Sequence, residues 1–560
     1  MGDERNRVIA MKRLTAKRLT EASLSRRSLL AAGGALLAAP LLPAMTLRAV
    51  AKQAGGGPIR WSLTGVSDLA SLDPAKASDQ QGFTVIGMLY GGLVKLDEKL
   101  LVVPSLAEKW SVSDDSLTYT FALRDGITFS DGTPITADDV VWTFNHALDP
   151  KTGGWTGPYY FTLIDGADDV AAGKTDKVSG VKKIDDKTVA ITIKQPSAYF
   201  LSSLSAGPSK ILSKAASADP NNDGKVTSGP FMLKSWNHGQ GIDLVPNPHF
   251  YEPVTGVTDL SFVFNQDSET GYQLYRTGKV DILGSSQDPV PASRVPEVKD
   301  SPDFRSTAAF NTRYVAFNNK LKPFDDVKAR QALAHAVDRE TLANAVLGGT
   351  VSPTGRILPA GFPASDKPIA ALAFDPAAAK DLLTQAGIDP KSFTFTLSYG
   401  VEGDNERVVT VLQSMWQENL GIAVKLEPLE LSTFSSRLND TYQDPAKGLQ
   451  AYYSIWGADY PDPQNFISLQ LQTDVGNNNG HWSNAEFDKL TKEADTMVGD
   501  FAKRADLYNQ AEQIAVDEVG WLPLFNAKVN VLVRECIKGI DVTGMDYQIP
   551  EWSALTGGTA

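Results

Sequence analysis

Apolar and polar residues alternate along Leu117-Thr118-Tyr119-Thr120-Phe121-Ala122-Leu123 and again along Lys187-Thr188-Val189-Ala190-Ile191-Thr192-Ile193. This period of two predicts strands with one face against a core. Asp-Gly pairs at Asp125-Gly126 and Asp131-Gly132 mark turns between them. The period changes after Thr136, where Val140, Val141, Phe144 and Leu148 fall on one helical stripe and Thr136 stands at capping-box spacing from Asp139. Strands followed by such a helix predict an α+β unit in the first third of the chain.

The later pattern alternates strand with helix. Asp375-Pro376 has the form of an N-cap and first-turn proline, Leu382, Leu383 and Ala386 share one face, and Gly387 is placed to end that helix. Residues 393–397 then predict a strand, 405–420 a helix stopped by Gly421, and 422–426 a second strand. This βαβ unit with a right-handed crossover implies a largely parallel sheet. A short helix near 432–438 leads to a strand at 452–456, which runs into Gly457-Ala458-Asp459-Tyr460-Pro461-Asp462-Pro463. Loops at the C-terminal ends of strands in open α/β sheets are where ligands gather. A further capping box, Ser483 with Glu486, opens a helix carrying Phe487, Leu490, Ala494 and Met497. There is no internal repeat and no low-complexity tract.

At 560 residues the chain is too long for one hydrophobic core and should form two or more lobes. Its composition, 42% hydrophobic and 21% charged, is that of an ordinary folded protein. The net charge of −13 conceals an asymmetry: the first 51 residues hold 9 Lys/Arg against 3 Asp/Glu, and the remainder holds 44 against 63. An acidic body repels phosphate backbones and anionic lipid, which disfavours nucleic-acid and peripheral-membrane binding. The basic leader contains Ser25-Arg26-Arg27-Ser28-Leu29-Leu30, an apolar run from Ala31 to Leu42, and a cleavable Ala49-Val50-Ala51. These read as a twin-arginine export signal over residues 1–51. The apolar run is about a dozen residues where a membrane span needs about 20, and Gly33, Gly34 and Pro40 interrupt it. The single cysteine, Cys536, lies far from the leader, which leaves neither a lipid attachment site there nor an intrachain disulfide.

Enzyme signatures are weak. The five histidines, His146, His238, His249, His335 and His481, form no HExxH and no pair at helical spacing. Gly173-Lys174-Thr175 ends like a phosphate loop, but Asp168 occupies the position of its first glycine and would repel phosphate. Ser179-Gly180-Val181-Lys182 matches SxxK without its companion motifs. Residues 219–224, Asp219 to Gly224, fit the first half of a calcium loop, but its twelfth position is Pro230 rather than a bidentate carboxylate, so a polar turn is the plainer reading and a weak calcium site the other. Asp459 is the sharper candidate. In a proline-stiffened loop beside Trp456 and Tyr460 it either closes its own turn or receives a ligand ammonium through a charge-assisted bond.

Several segments carry a family resemblance: Ser71-Leu72-Asp73-Pro74, Leu89-Tyr90-Gly91-Gly92-Leu93-Val94, Pro104-Ser105-Leu106-Ala107-Glu108-Lys109-Trp110, the run from Phe121 to Pro134, Thr227-Ser228-Gly229-Pro230-Phe231, Asn247-Pro248-His249-Phe250-Tyr251, Phe317-Asn318-Asn319, the run from Pro323 to Leu333, and the Trp456 to Asp459 loop. In this order the chain resembles the large periplasmic solute-binding proteins of peptide ABC importers, the oligopeptide- and dipeptide-binding family (extracellular solute-binding family 5). The resemblance implies an α/β, periplasmic binding protein type II-like fold, with two lobes closing by a hinge and an extra α+β domain, three domains in all. The first domain would be assembled from residues 52–81, 211–313 and 527–560, the second would span 82–210 and the third 314–526. It further implies a monomeric, non-enzymatic periplasmic protein without cofactor, metal or stable membrane insertion, which delivers peptide to an inner-membrane ABC permease complex.

By the same resemblance Asp459 takes a peptide's α-amino group, and Asp68, Tyr314, Trp456 and Tyr453 line the ligand site. Relatives can carry Glu, Arg and Trp where this chain has Ala316, Tyr453 and Leu431, and the missing basic residue at Tyr453 weakens a C-terminal carboxylate clamp at that place. A non-peptide solute such as an opine, sugar or metal chelate is therefore the near alternative. A periplasmic hydrolase using Asp459 and Asp462, and an exported chaperone or adhesion module, are remote ones.

Overall fold

The computed structural model describes residues 56–77, 79–218 and 223–558. The proposed export signal lies outside these residues, as do the first four positions of the calcium-like turn. Asp223, which follows them, accepts bonds from the Leu72 amide at 3.0 Å and the Ser71 hydroxyl at 3.4 Å.

The first third forms an antiparallel four-stranded sheet in the order Ala107–Val112, Thr118–Leu123, Thr188–Thr192, Val181–Asp185. Alternation along Thr118–Leu123 sends Tyr119, Phe121 and Leu123 into the core. Helix Ala137–Leu148 opens with the predicted Thr136/Asp139 capping box and buries Val140, Phe144 and Leu148 in the same core, with Val141 packed at its edge. This is the expected α+β unit.

A larger sheet is built in the order Ala423–Leu429, Thr394–Gly400, Ala451–Gly457, Asn311–Phe317, Leu522–Val533, Ile282–Leu283, Gly57–Thr64, Val257–Asn265, Gly241–Pro246, Phe231–Asn237. Thr394–Gly400 lies parallel to both neighbours, and helix Asn405–Leu420 between the paired strands stops at Gly421, whose φ of 76° suits glycine at a helix end. The sheet is nevertheless mixed rather than largely parallel. Asn311–Phe317 runs antiparallel to Ala451–Gly457 and to Leu522–Val533. Helical crossovers, which enforce parallel pairing, join the three strands between 394 and 457, and helix Ser268–Arg276 joins Val257–Asn265 to Ile282–Leu283, both parallel to Gly57–Thr64; strands brought from elsewhere in the chain carry no such constraint.

Two local details differ from expectation. Asn484, not Ser483, caps helix Ala485–Thr496, because the Asn side chain reaches two backbone amides while Ser483 bonds Thr473. In helix Pro376–Gln385, capped by Asp375, Ala386 is the C-cap and Gly387 follows it with φ of 68°.

The 12-residue strand Leu522–Val533 runs through two cores. Leu522 and Leu524 pack with Val315 and Phe317, whereas Val529, Val531 and Val533 pack with Ile59 and Trp61. Its start pairs with Asn311–Phe317 and its end with Ile282–Leu283. A cavity opens beside this strand, at Ala527.

Candidate solute-binding cavity

Strand Ala451–Gly457 delivers Asp459 to a loop held by Asn465. The Asn465 amide oxygen accepts the Asp459 backbone N–H and the Trp456 indole N–H, each at 3.1 Å, while its Nδ2 donates to Asp459 Oδ2 at 3.1 Å. Asn465 is fully buried in the short turn Pro463–Asn465, which Asp462 caps through the Gln464 amide at 3.0 Å. Asp462 in turn is buried against the Arg504 guanidinium, so it is committed to the loop's support.

Two further donors reach Asp459 from the α+β unit. Tyr159 donates to Oδ2 at 3.0 Å and Tyr160 to Oδ1 at 3.2 Å. A carboxylate has roughly four acceptor positions, and three donors leave one of them, on Oδ1, open. Burial pushes Asp459 above the usual carboxylate range, and Asn465, Tyr159 and Tyr160 pull it partly back. Among the described residues no cation pairs with it. A half-buried carboxylate without a counter-charge is partly desolvated, and a ligand ammonium would relieve that cost.

Asp459 faces a cavity of about 790 Å³, a size suited to a small solute. Its wall combines Tyr160 and Trp155 from the α+β unit with Asn311, Arg313, Ile455 and Gly457 from the larger sheet. Asp546 and Tyr547 contribute from the C-terminal part. Tyr199 stacks on Tyr460 with centroids 6.1 Å apart, and the Ala198 amide bonds the Asp495 carbonyl at 2.9 Å, so the α+β unit is also tied to the Asp459 side beyond the tyrosines.

Of the residues expected at the site, the structure brings only Asp459 to the cavity wall. Strand alternation turns Trp456 and Tyr314 to the opposite face of the sheet from Ile455, Gly457, Asn311 and Arg313. Tyr314 stacks on Trp521 with centroids 3.7 Å apart, and Trp456 acts on Asp459 through Asn465. Tyr453 is buried one layer behind Arg313, whose guanidinium lies 5.9 Å from its ring centre, and burial pushes its hydroxyl up to about 12. Asp68 accepts bonds from Trp236 at 2.9 Å and from the Leu69 amide at 2.9 Å, and meets His238 at 2.8 Å, away from the cavity wall.

Tyr159, Tyr160 and Asn465 are absent from the sequence-based expectation. The signal for the tyrosines was an aromatic run, Trp155 to Phe161, broken by Gly157 and Pro158. Asn465 sits six residues beyond Asp459, within reach of a loop-closing bond. Four histidines are bonded locally: His146 to Asp73, His238 to Asp68, His335 to the Ala373 carbonyl and His481 to the Thr441 carbonyl. No helix among the described residues is long and apolar enough to cross a membrane.

The fold and cavity are those of a binding protein with room for a small solute. The chain belongs to the bacterial extracellular solute-binding proteins, family 5, whose model matches residues 102–478. It is 32% identical over 491 residues to a probable deoxycholate-binding periplasmic protein, YgiS, of Escherichia coli, covering 84% of this chain and 89% of that one. It is 30% identical to the periplasmic oligopeptide-binding protein OppA of Salmonella typhimurium, over 86% and 89% of the two chains. Among solved structures, Haemophilus influenzae OppA in complex with the peptide RPPGFSPFR matches with a TM-score of 0.67 at 25% identity, over 89% of this chain and 98% of that one.

Proposed function

We propose that this protein is the exported receptor of an ABC importer, which captures peptides in the cavity beside Asp459 and hands them to an inner-membrane permease. The observation that carries the reading is Asp459 itself: a half-buried carboxylate with three neutral donors, one open acceptor position and no counter-cation among the described residues, facing a cavity of about 790 Å³. A peptide's α-ammonium supplies the missing charge, and the sheet edges and polar wall accept its backbone. Membership of the family and the peptide-binding relatives support the same reading.

Lobe closure would follow from a solute that bonds both walls and so prefers the closed state. The three-domain division at 52–81, 211–313 and 527–560, at 82–210 and at 314–526 places the tyrosines and Asp459 on different domains, as that mechanism needs. Export by the twin-arginine leader puts a monomeric receptor in the periplasm. Transport energy comes from other subunits, and this chain needs no catalysis.

A second reading keeps the transport role with a non-peptide solute. It is favoured by the relative named for deoxycholate. Native mass spectrometry of the exported protein, followed by denaturation and identification of released molecules, separates the two. Short peptides with free amino termini support the first reading, and a single non-peptide mass supports the second.

A further inference from the structure

Seven charged side chains line the cavity: Asp79, Lys95, Lys210, Arg313, Glu402, Asp459 and Asp546. The three cations differ in what they already hold. Lys95 is paired with Glu252 at 3.2 Å and donates to the Pro550 carbonyl at 2.7 Å. Arg313 donates to Asn405 at 3.1 Å and lies over Tyr453. Lys210 has no bonding partner for its ammonium among the described residues, and burial alone depresses its pKa, to about 8.

Lys210 is half-buried, its ammonium lacks a protein partner among the described residues, and the local backbone holds the residue at the cavity wall. Lys210 bridges Gly92 in antiparallel fashion, and its own amide bonds the Gly207 carbonyl at 3.2 Å. Gly92 presents no side chain: a Cβ there would stand 3.7 Å from Lys210 Nζ. Gly91, Gly92 and Gly207 line the same cavity as Lys210, with the Phe83 ring packed against Gly207 and Leu106 against Gly91.

We propose that Lys210 is an anion subsite, which receives a carboxylate of the solute held in the cavity, opposite in charge to the subsite at Asp459. The inference rests on the cavity being the solute site. It does not require the solute to be a peptide, because a peptide C-terminus, an acidic side chain and a bile acid all offer the same group. A charge-assisted bond from the solute would supply the partner that this half-buried ammonium lacks. The solute would then be chosen for its charge at two places, an ammonium at Asp459 and a carboxylate at Lys210, or for the carboxylate alone.

Calorimetry on the mature full-length protein and on Lys210→Met tests this with paired probes: tri-alanine against its C-terminal amide, Ala-Glu-Ala amide against Ala-Gln-Ala amide, and deoxycholate against its methyl ester. The parent should prefer the charged member of at least one pair by about ten- to hundredfold, and Lys210→Met should erase that preference. The first pair reports a C-terminal carboxylate and the second an acidic side chain. Lys210→Gln replaces the Met variant if the latter does not fold, and a thermal melt without solute checks both. The proposal is overturned if the preference survives in the variant, if the parent shows none in any pair, or if no probe binds. Peptides that bind without preference would leave the peptide reading standing and remove the anion subsite. Binding of deoxycholate alone, lost in the variant, would do the reverse.

Discussion

The Tyr159 hydroxyl donates to the Asp459 carboxylate at 3.0 Å across 300 positions of sequence, and Tyr160 donates to the other oxygen at 3.2 Å. The two tyrosines stabilise the ionised form of a carboxyl that burial otherwise pushes up. An incoming ammonium needs that ionised form. It takes the open position on Oδ1 or displaces one hydroxyl.

A pH dependence follows. Affinity for a peptide α-ammonium, itself protonated below its pKa of about 8, should weaken as pH falls through the raised Asp459 value. Replacing Tyr159 and Tyr160 together by Phe removes two donors to the carboxylate and raises Asp459 further. The loss of tri-alanine affinity should therefore begin at higher pH in the double variant. Dissociation constants measured from pH 4.5 to 8 check this, and superimposable pH profiles would contradict it.

The loop under Asp459 depends on the buried pair of Asp462 and Arg504, whose side chains are 5% and 4% exposed. Arg504 also donates to the Ala494 carbonyl at 3.1 Å. Removing one member of a buried ion pair leaves the other uncompensated, which costs about 3–5 kcal/mol. Arg504→Met should lower stability by that order in urea denaturation, and adding Asp462→Asn should recover part of it. A single variant within about 0.5 kcal/mol of the parent, as for an ordinary surface change, would show that the pair does not support the loop.

Asp546 gives a stability signature of opposite sign to the usual acid denaturation. Burial pushes it up to about 6, against the bonds from the Ser286 hydroxyl and amide and with a further upward push from Asp288. A carboxyl raised on folding contributes stability below its unfolded pKa of about 3.9, and that contribution is lost as pH rises through about 6. The slope is about 1.4 kcal/mol per pH unit for one proton, so roughly 2–3 kcal/mol is at stake between pH 4 and 6. Asp546→Asn should lack that slope, so the stability difference between variant and parent should change by that amount between pH 4 and 6. Parallel stability curves over this range would contradict it.

Much of the scaffold was legible because it is local. Helix Asn405–Leu420 and its Gly421 stop, the Thr136 capping box and the Asp375 N-cap each depend on residues a turn or two apart. The loop carrying Asp459 was legible for the same reason, as a Pro-rich break after a strand. The rest of the site comes from elsewhere in the chain. Nothing in the spacing of Tyr159, Tyr160 or Lys210 records that they will meet a cavity shared with Asp459. Strand alternation separates Trp456 from Ile455, but only the assembled sheet decides which of the two faces the cavity.

The central claim is that the solute is held by an ammonium on Asp459. Titration of tri-alanine and N-acetyl-tri-alanine into the parent and into Asp459→Asn tests it most directly. A charged bond of this kind is worth about 1.5–3 kcal/mol. The parent should therefore bind the free peptide about ten- to hundredfold more tightly than the acetylated one, and Asp459→Asn should bind the two alike and weakly. Equal affinity of the parent for both peptides, or an unchanged preference in Asp459→Asn, would contradict the account.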